Sequence, residues 1–90
     1  MERIEELVQK LKTYSLDADV ELVQRAYEFA VRAHAGQTRA SGESFISHPV
    51  AVASILVDLH LDEASLAAAL LHDVPEDTSV TLKEVRAQFG

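Results

Sequence analysis

Residue types that bind divalent metals occur close together in two short segments of this chain. His48 precedes a proline, and His72 and Asp73 are adjacent further along. Two imidazoles and a carboxylate form a mixed nitrogen and oxygen ligand set, which suits a divalent transition metal. Glu76 and Asp77 follow within a turn, and their carboxylates could orient a water molecule or carry a proton. The pattern is typical of a metal-dependent phosphohydrolase.

Helix ends are needed to bring these side chains together. Pro49 favours an extended His48 at a helix start, where the positive end of the helix dipole disfavours a charged imidazole. A neutral imidazole is the form that binds metal. In a regular helix the adjacent side chains of His72 and Asp73 would diverge by about 100°. They can converge at a helix end. Pro75 predicts such an end, because it lacks an N–H donor and should push Val74 out of helical geometry.

Hydrophobic periodicity predicts helices along the whole chain, without strands. The first helix carries its apolar stripe at Ile4, Leu7, Val8 and Leu11. The second begins at a cap on Asp17 or Asp19, and Gly36 ends it as a left-handed stop. Residues 36–47 are rich in Gly and Ser and indicate a loop, which at this length usually has a function.

Three more helices are predicted in the second half of the chain. Val50 to His60, and Leu66 to Leu71 after a cap at Asp62, are apolar on most sides. We expect these two helices to form the buried centre. Thr81 and Glu84 make a capping box for the final helix. That helix packs through Leu82, Val85 and Phe89.

Composition limits what this chain can do. Ninety residues allow one small domain with one core. A net charge of −7 argues against a nucleic-acid partner, whose phosphates would require a basic surface. The absence of cysteine excludes a disulfide framework, a thiolate zinc site and a thiol nucleophile. The longest apolar run is too short to span a membrane and no signal peptide is visible, so we expect a soluble protein of the cytoplasm.

Several of these residues also have ordinary interpretations. His34 and His60 are expected to be structural or surface histidines, because each stands alone while the other two can converge at helix ends. The Glu76–Asp77 pair taken by itself could be a solvated turn. Arg39 could be a solvated cation, but it is one of few positive charges near a site that would face an anion.

Three strings in the chain resemble a known family. They are AHAGQTRASGESFISHPVAVA, AALLHDVPEDT and TLKEVRAQFG. Together they are similar to the amino-terminal hydrolase domain of the RelA/SpoT homologues, enzymes that make and degrade the alarmones guanosine tetra- and pentaphosphate, (p)ppGpp. The similarity runs from about Leu22 to Gly90. It implies an all-α, HD-domain-like bundle of about five helices.

The resemblance also implies a ligand set and a reaction. In that family's pattern His48, His72 and Asp73 bind one Mn²⁺. Glu76 and Asp77 would then serve the attacking water and the leaving pyrophosphate, while Arg39 and Ser41 would lie along the nucleotide. The implied reaction removes the 3′-pyrophosphate of ppGpp, giving GDP and pyrophosphate.

The chain departs from the family pattern in composition and in length. Ala40 stands where many members carry Lys or Ser, and Ser44-Phe45 replaces the usual Pro-Tyr. The family's hydrolase domain is about twice as long, and its fourth metal ligand, an aspartate, follows the part matched here. We therefore expect residues 1–90 to form the first half of such a domain. We also expect weak or absent activity, and self-association through apolar faces that the missing helices would cover.

Two other functions remain open at this stage. The chain could be another HD-type phosphohydrolase acting on a different nucleotide, which the loop around Arg39 would distinguish. It could instead be a non-catalytic helical module that self-associates. A metal titration separates that module from both enzymes.

Overall fold

The computed structural model describes residues 4–35 and 47–89, apart from the side chains of residues 47 and 77. Within these ranges the helices are α1 Ile4–Tyr14, α2 Val20–Ala33, α3 Ser47–Asp58, α4 Glu63–Leu71, α5 Val74–Asp77 and α6 Leu82–Phe89. The predicted all-α fold is confirmed, with five longer helices and the single turn α5. No helix in this part of the chain is long and apolar enough to cross a membrane.

The core lies where α4 packs against both α2 and α3. The first helix, α1, also packs against α2 and α3. The largest fully buried side chains come from these helices and from α5; they are Leu7, Leu11, Val23, Pro49, Val57, Leu66, Leu70 and Val74. The predicted stripe of α1 is therefore confirmed, since Leu7, Val8 and Leu11 are all buried. The four-residue spacing of Leu66 and Leu70 turns one face of α4 into the core.

Side-chain caps begin three of the helices as the sequence predicts. Asp19, rather than Asp17, accepts a hydrogen bond from the Leu22 amide at 3.0 Å. Asp62 accepts one from the Ser65 amide at 2.9 Å, and the Thr81 hydroxyl accepts one from the Glu84 amide at 3.2 Å. Each bond satisfies an amide that has no partner inside its own helix. The predicted stop at Gly36 lies outside the described residues, and α2 ends at Ala33.

The expectation that α3 is buried on most sides is wrong for its outer face. Ile55 is 60% exposed and Leu59 is 66% exposed, although Ala53 and Val57 on the inner face are in the core. Packing decides this, because within the described chain α3 packs mainly against α4 and α1. By contrast, α4 meets the expectation, with five of its nine residues buried.

The last helix is held by aromatic contacts more than by its leucine. Leu82 is 51% exposed, whereas Val85 is buried as predicted. Phe89 meets Phe29 edge to face, with ring centroids 5.4 Å apart. Arg25 crosses the same Phe89 ring at 5.3 Å and donates to the Gln88 carbonyl at 3.2 Å. These contacts attach the carboxyl end of α6 to α2.

His60 closes α3 with a left-handed residue that is not glycine. Its φ is 60°, a conformation that favours glycine over residues with a Cβ atom. The His60 amide donates to Val57, and the Leu61 amide donates to Leu56, the two bonds of a Schellman motif. The imidazole stacks on Tyr14 with centroids 4.4 Å apart. The His60 ring therefore has a structural role between α1 and the end of α3.

Candidate metal centre

Two helix ends bring His48, His72 and Asp73 together. His48 lies in the first turn of α3, while His72 and Asp73 form the junction between α4 and α5. One potential ligand atom from each of the three lies within 4.8 Å of the other two. The two imidazole centroids are 5.9 Å apart and tilted by 55°. These are the three residues whose types suggested a metal ligand set from the sequence.

His48 reaches this position from inside the helix and not from an extended segment before it. The structure begins α3 at Ser47, so the expectation of an extended His48 is wrong. Pro49 is tolerated there because the first amides of a helix have no intrahelical acceptor. Pro49 and Val50 are both buried, and they anchor this turn while the His48 side chain stays exposed.

The helix break falls between His72 and Val74. α4 ends at Leu71, His72 is its C-cap, and Asp73 with φ −86° and ψ −9° precedes α5. Pro75 was expected to push Val74 out of helical geometry, whereas Val74 is the first residue of α5 and the break lies just before it. At this interruption of the helix the two adjacent side chains approach each other, with His72 Nε2 and Asp73 Oδ1 3.1 Å apart.

Asp73 occupies the N-cap position of α5 but makes no capping hydrogen bond with its side chain. An aspartate at such a position normally accepts a hydrogen bond from one of the following amides. Here one carboxylate oxygen, Oδ1, lies 3.1 Å from His72 Nε2 instead. The carboxylate is therefore directed at the histidines, and 19% of its side chain is exposed.

A backbone carbonyl fixes the tautomer of His72. The Nδ1 atom lies 2.6 Å from the Ala69 carbonyl oxygen, and a carbonyl can only accept, so Nδ1–H donates. The neutral ring then carries its lone pair on Nε2, the atom that faces Asp73. A hydrogen bond to the second ring nitrogen is the usual support of a metal-binding histidine. Sequence reasoning missed the Ala69 carbonyl, whose one signal is its position a turn before His72.

The donor set fits a cation. His72 Nε2 and Asp73 Oδ1 lie 3.1 Å apart, a separation that either a proton on Nε2 or a metal ion bound to both atoms would satisfy. Ligand atoms about 2.1 Å from a common metal lie roughly 3.0–3.4 Å apart at octahedral to tetrahedral angles. His48, His72 and Asp73 could thus hold one divalent ion with open positions left for water or substrate.

The other predicted site residues are only partly within the described structure. Glu76 lies exposed on α5, one turn after Asp73. Asp77 is the last residue of that helix, and its side chain is outside the described set. Arg39 and Ser41 fall in residues 36–46, outside the described ranges. Their predicted roles stay predictions.

His34 and His60 lie outside the candidate metal centre, as expected. The expected reason, that only His48 and His72 lie at helix ends, was incomplete. His34 is the C-cap of α2 and His60 follows α3, so both also lie at helix ends. A helix end therefore does not by itself select a ligand. His34 and His60 differ from His48 and His72 in their neighbours, because among the described residues the cluster of three potential ligands contains neither His34 nor His60.

A cleft of about 390 Å³ lies between α2, α4 and α6, and His72 is one of its lining residues. Its described lining is mainly apolar, with Leu71, Leu82 and Phe89 among its walls, and Arg86 at its edge. Phosphate groups require cations or N–H donors, which this lining largely lacks. The cleft therefore does not resemble a phosphate-binding site.

Comparison with known proteins agrees with the geometry. The sequence profile of a family described as "HD domain" matches residues 26–90, which includes all three potential ligands. The chain belongs to the HD-domain family. Its resemblance to the RelA/SpoT homologues is confirmed as well.

Relatives of known name match this HD-domain chain over nearly all of its length. "GTP pyrophosphokinase rsh" of Brucella ovis and of Brucella abortus are each 48% identical over 90 residues, all of this chain. "Bifunctional (p)ppGpp synthase/hydrolase SpoT" of Escherichia coli K12 is 49% identical over 86 residues, 96% of this chain. In each case the chain spans 12% of the relative's length.

Proposed function

We propose that residues 1–90 form the amino-terminal part of an HD-type domain that removes the 3′-pyrophosphate of guanosine tetra- and pentaphosphate. The observation that carries this proposal is the cluster of His48, His72 and Asp73 within 4.8 Å, at two helix ends. The names of relatives support the substrate, since one relative that is 49% identical is a guanosine-3′,5′-bis(diphosphate) 3′-pyrophosphohydrolase of Shigella flexneri. The parent protein would be a bifunctional GTP pyrophosphokinase and (p)ppGpp hydrolase of the stringent response.

One Mn²⁺ would be held by His48, His72 and Asp73, with a fourth carboxylate ligand supplied from outside these residues. Such an ion would acidify a water ligand and neutralise charge on the oxygens of the phosphoryl group that is attacked. His72 is prepared for this role, because its Nδ1–H donates to Ala69 and leaves Nε2 as the ligand atom. The Asp73 carboxylate balances part of the ion's charge.

The proposed reaction breaks one P–O bond with water. The water oxygen forms a bond to the phosphorus next to the ribose, and the bond from that phosphorus to the ribose 3′-oxygen breaks. One water proton ends on the ribose oxygen, so the products are GDP and pyrophosphate. Glu76, exposed on α5, would take the proton from the attacking water, and Asp77 would assist the departing groups.

Substrate binding needs local positive charge, because both partners are anionic. The chain carries 15 acidic and 8 basic residues, so its overall field repels a nucleotide with two diphosphate groups. We assign Arg39 and Ser41 to the nucleotide, with the guanidinium binding phosphate oxygens and the hydroxyl adding a donor. These contacts would act beside the ion to offset the unfavourable net charge.

The proposed function also implies a cellular setting. The protein would act in the cytoplasm, on a small nucleotide, with neither nucleic acid nor membrane as a partner. The exposed Ile55 on α3 and Leu59 just after it form an apolar face through which two copies could associate. Light scattering of the 90-residue protein tests this association, and a monodisperse monomer would contradict it.

A metal titration and a product assay test the proposed function together. Calorimetry should show one Mn²⁺ site in the wild-type protein, and pyrophosphate release from ppGpp should require that ion. If Mn²⁺ binds but only a different nucleotide is hydrolysed, the chain is another HD-type phosphohydrolase. If no ion binds at millimolar concentration, the non-catalytic module is the correct description.

A further inference from the structure

Three hydrogen bonds meet at Thr78, the residue that ends α5. The Thr78 hydroxyl donates to the Val74 carbonyl at 2.7 Å, and the Thr78 amide donates to the same oxygen at 3.0 Å. The hydroxyl also accepts from the Val80 amide at 3.1 Å. One side chain thus joins the start of α5, its end and the segment that leads into α6.

The short helix needs such support. α5 has four residues, and an isolated helical turn is unstable because the first hydrogen bond costs the ordering of several dihedral angles. Its amino end is fixed by the fully buried Val74. Its carboxyl end is held by Thr78, which is half-buried and adopts an extended conformation with φ −132° and ψ 173°.

Glu76, which we propose takes a proton from the attacking water, lies between the anchors Val74 and Thr78. Glu76 lies two residues after Val74 and two before Thr78, and it is exposed. An exposed carboxylate has no packing of its own to fix it, so its direction depends on the backbone that carries it. The metal-ligand candidates His48, His72 and Asp73 all precede α5 and do not depend on the Thr78 hydroxyl.

We propose that Thr78 is a positioning residue, which holds the α5 turn so that the Glu76 carboxylate faces the metal centre. This role in hydrolysis rests on the proposed function. Thr78 touches neither ion nor substrate in this assignment. Its hydroxyl acts through the Val74 carbonyl and the Val80 amide.

Three variants of the 90-residue protein separate positioning from stability. Thr78→Val keeps the shape of the side chain and removes the hydroxyl, whereas Thr78→Ser keeps the hydroxyl. Thr13→Val is the matched control, because the Thr13 hydroxyl donates to the Lys10 carbonyl at 2.6 Å on α1, far along the chain from the site. Comparable losses of global stability in Thr78→Val and Thr13→Val would show that stability alone does not explain a difference between them.

The decisive measurement is backbone order of α5, which needs no activity. ¹⁵N relaxation should give order parameters of about 0.85 for the Glu76 and Asp77 amides in wild type and Thr78→Ser, and below about 0.6 in Thr78→Val. The Val85 amide should stay ordered in every variant. Unchanged α5 order in Thr78→Val would overturn the proposal, whatever the rates are.

Enzyme kinetics then test whether Thr78 affects hydrolysis. In the complete parent domain, Thr78→Val should lower kcat for pyrophosphate release about tenfold, leave the Kd for Mn²⁺ unchanged within about twofold, and be rescued by Thr78→Ser. An equal fall in kcat for Thr13→Val would refute a positioning role. A complete parent domain that binds Mn²⁺ but releases no pyrophosphate from ppGpp would overturn the proposed function, while the order parameters would still decide the role of Thr78.

Discussion

Replacing His72 with alanine should abolish metal-linked stabilisation while leaving the fold intact. The His72 side chain is 44% exposed, whereas its neighbours Leu71 and Val74 are buried and carry the packing at this junction. Removing the imidazole therefore opens no internal cavity. It removes one of three candidate ligands and the hydrogen bond from Nδ1–H to the Ala69 carbonyl.

The size of the effect follows from linkage. A ligand that binds only the folded state, at a free concentration one hundred times its Kd, stabilises that state by about 2.7 kcal/mol. For a domain of 90 residues each kcal/mol shifts Tm by roughly 4–8 °C, so Mn²⁺ should raise the wild-type Tm by about 10–20 °C. Losing the partly exposed hydrogen bond to Ala69 costs about 0.5 kcal/mol, or only a few degrees in the metal-free protein.

Thermal unfolding followed by circular dichroism, with and without Mn²⁺, measures both quantities. His60→Ala is the matched control, since its ring stacks on Tyr14 and is outside the metal cluster. His60→Ala should melt lower without metal and keep the full Mn²⁺ shift, whereas His72→Ala should lose that shift. The opposite pattern, with the shift lost in His60→Ala and kept in His72→Ala, would refute the site assignment.

Three further outcomes are expected. In a complete parent domain, Glu76→Gln should lower the rate of pyrophosphate release by roughly 10²-fold or more, with Mn²⁺ affinity by calorimetry nearly unchanged; a large affinity loss with normal turnover would reverse its role. Leu70→Ala, at 0% exposure, should lower the free energy of unfolding in urea by about 2.7–5 kcal/mol, while Leu16→Ala, at 90% exposure, should change it by less than about 0.5 kcal/mol. Hydrogen bonds from Ser65 lower the pKa of Asp62 in the folded protein. The Asp62 carboxylate therefore stabilises the fold above its unfolded pKa of about 3.9, and this stabilisation is lost as pH falls through the lower folded pKa. Asp62→Asn keeps the cap without this titration, so the urea midpoint should fall less between pH 5 and pH 2 than in wild type; equal falls would contradict this reasoning.

Local rules were enough to predict much of the fold. The stripe of α1 and the caps at Asp62 and Thr81 depend on spacing within one turn, which the sequence displays directly. The same holds for the break after α4, because Pro75 cannot continue a helix. The residue types at that break, His72 and Asp73, then pointed to the metal centre.

Other features depend on contacts between distant segments and were out of reach. Whether Ile55 on α3 is buried is decided by which helices pack beside it, and its hydrophobicity is the same in either case. A left-handed His60 could not be predicted from a residue preference that favours glycine. Its stacking on Tyr14, far away in sequence, accompanies that conformation and fills the space above the helix end.

Each potential ligand of the candidate metal centre is next in sequence to a residue buried in the core, or one position from it. His48 is followed by the buried Pro49, and the His72–Asp73 pair lies between the buried Leu71 and Val74. The ligand side chains themselves are exposed or half-exposed, which leaves them open to an ion and an anionic substrate. The distance between His48 and the pair is therefore set by how α3 packs on α4. A core substitution between those helices should alter metal affinity without touching a ligand, because the cluster can close on an ion only at the separation that this packing allows.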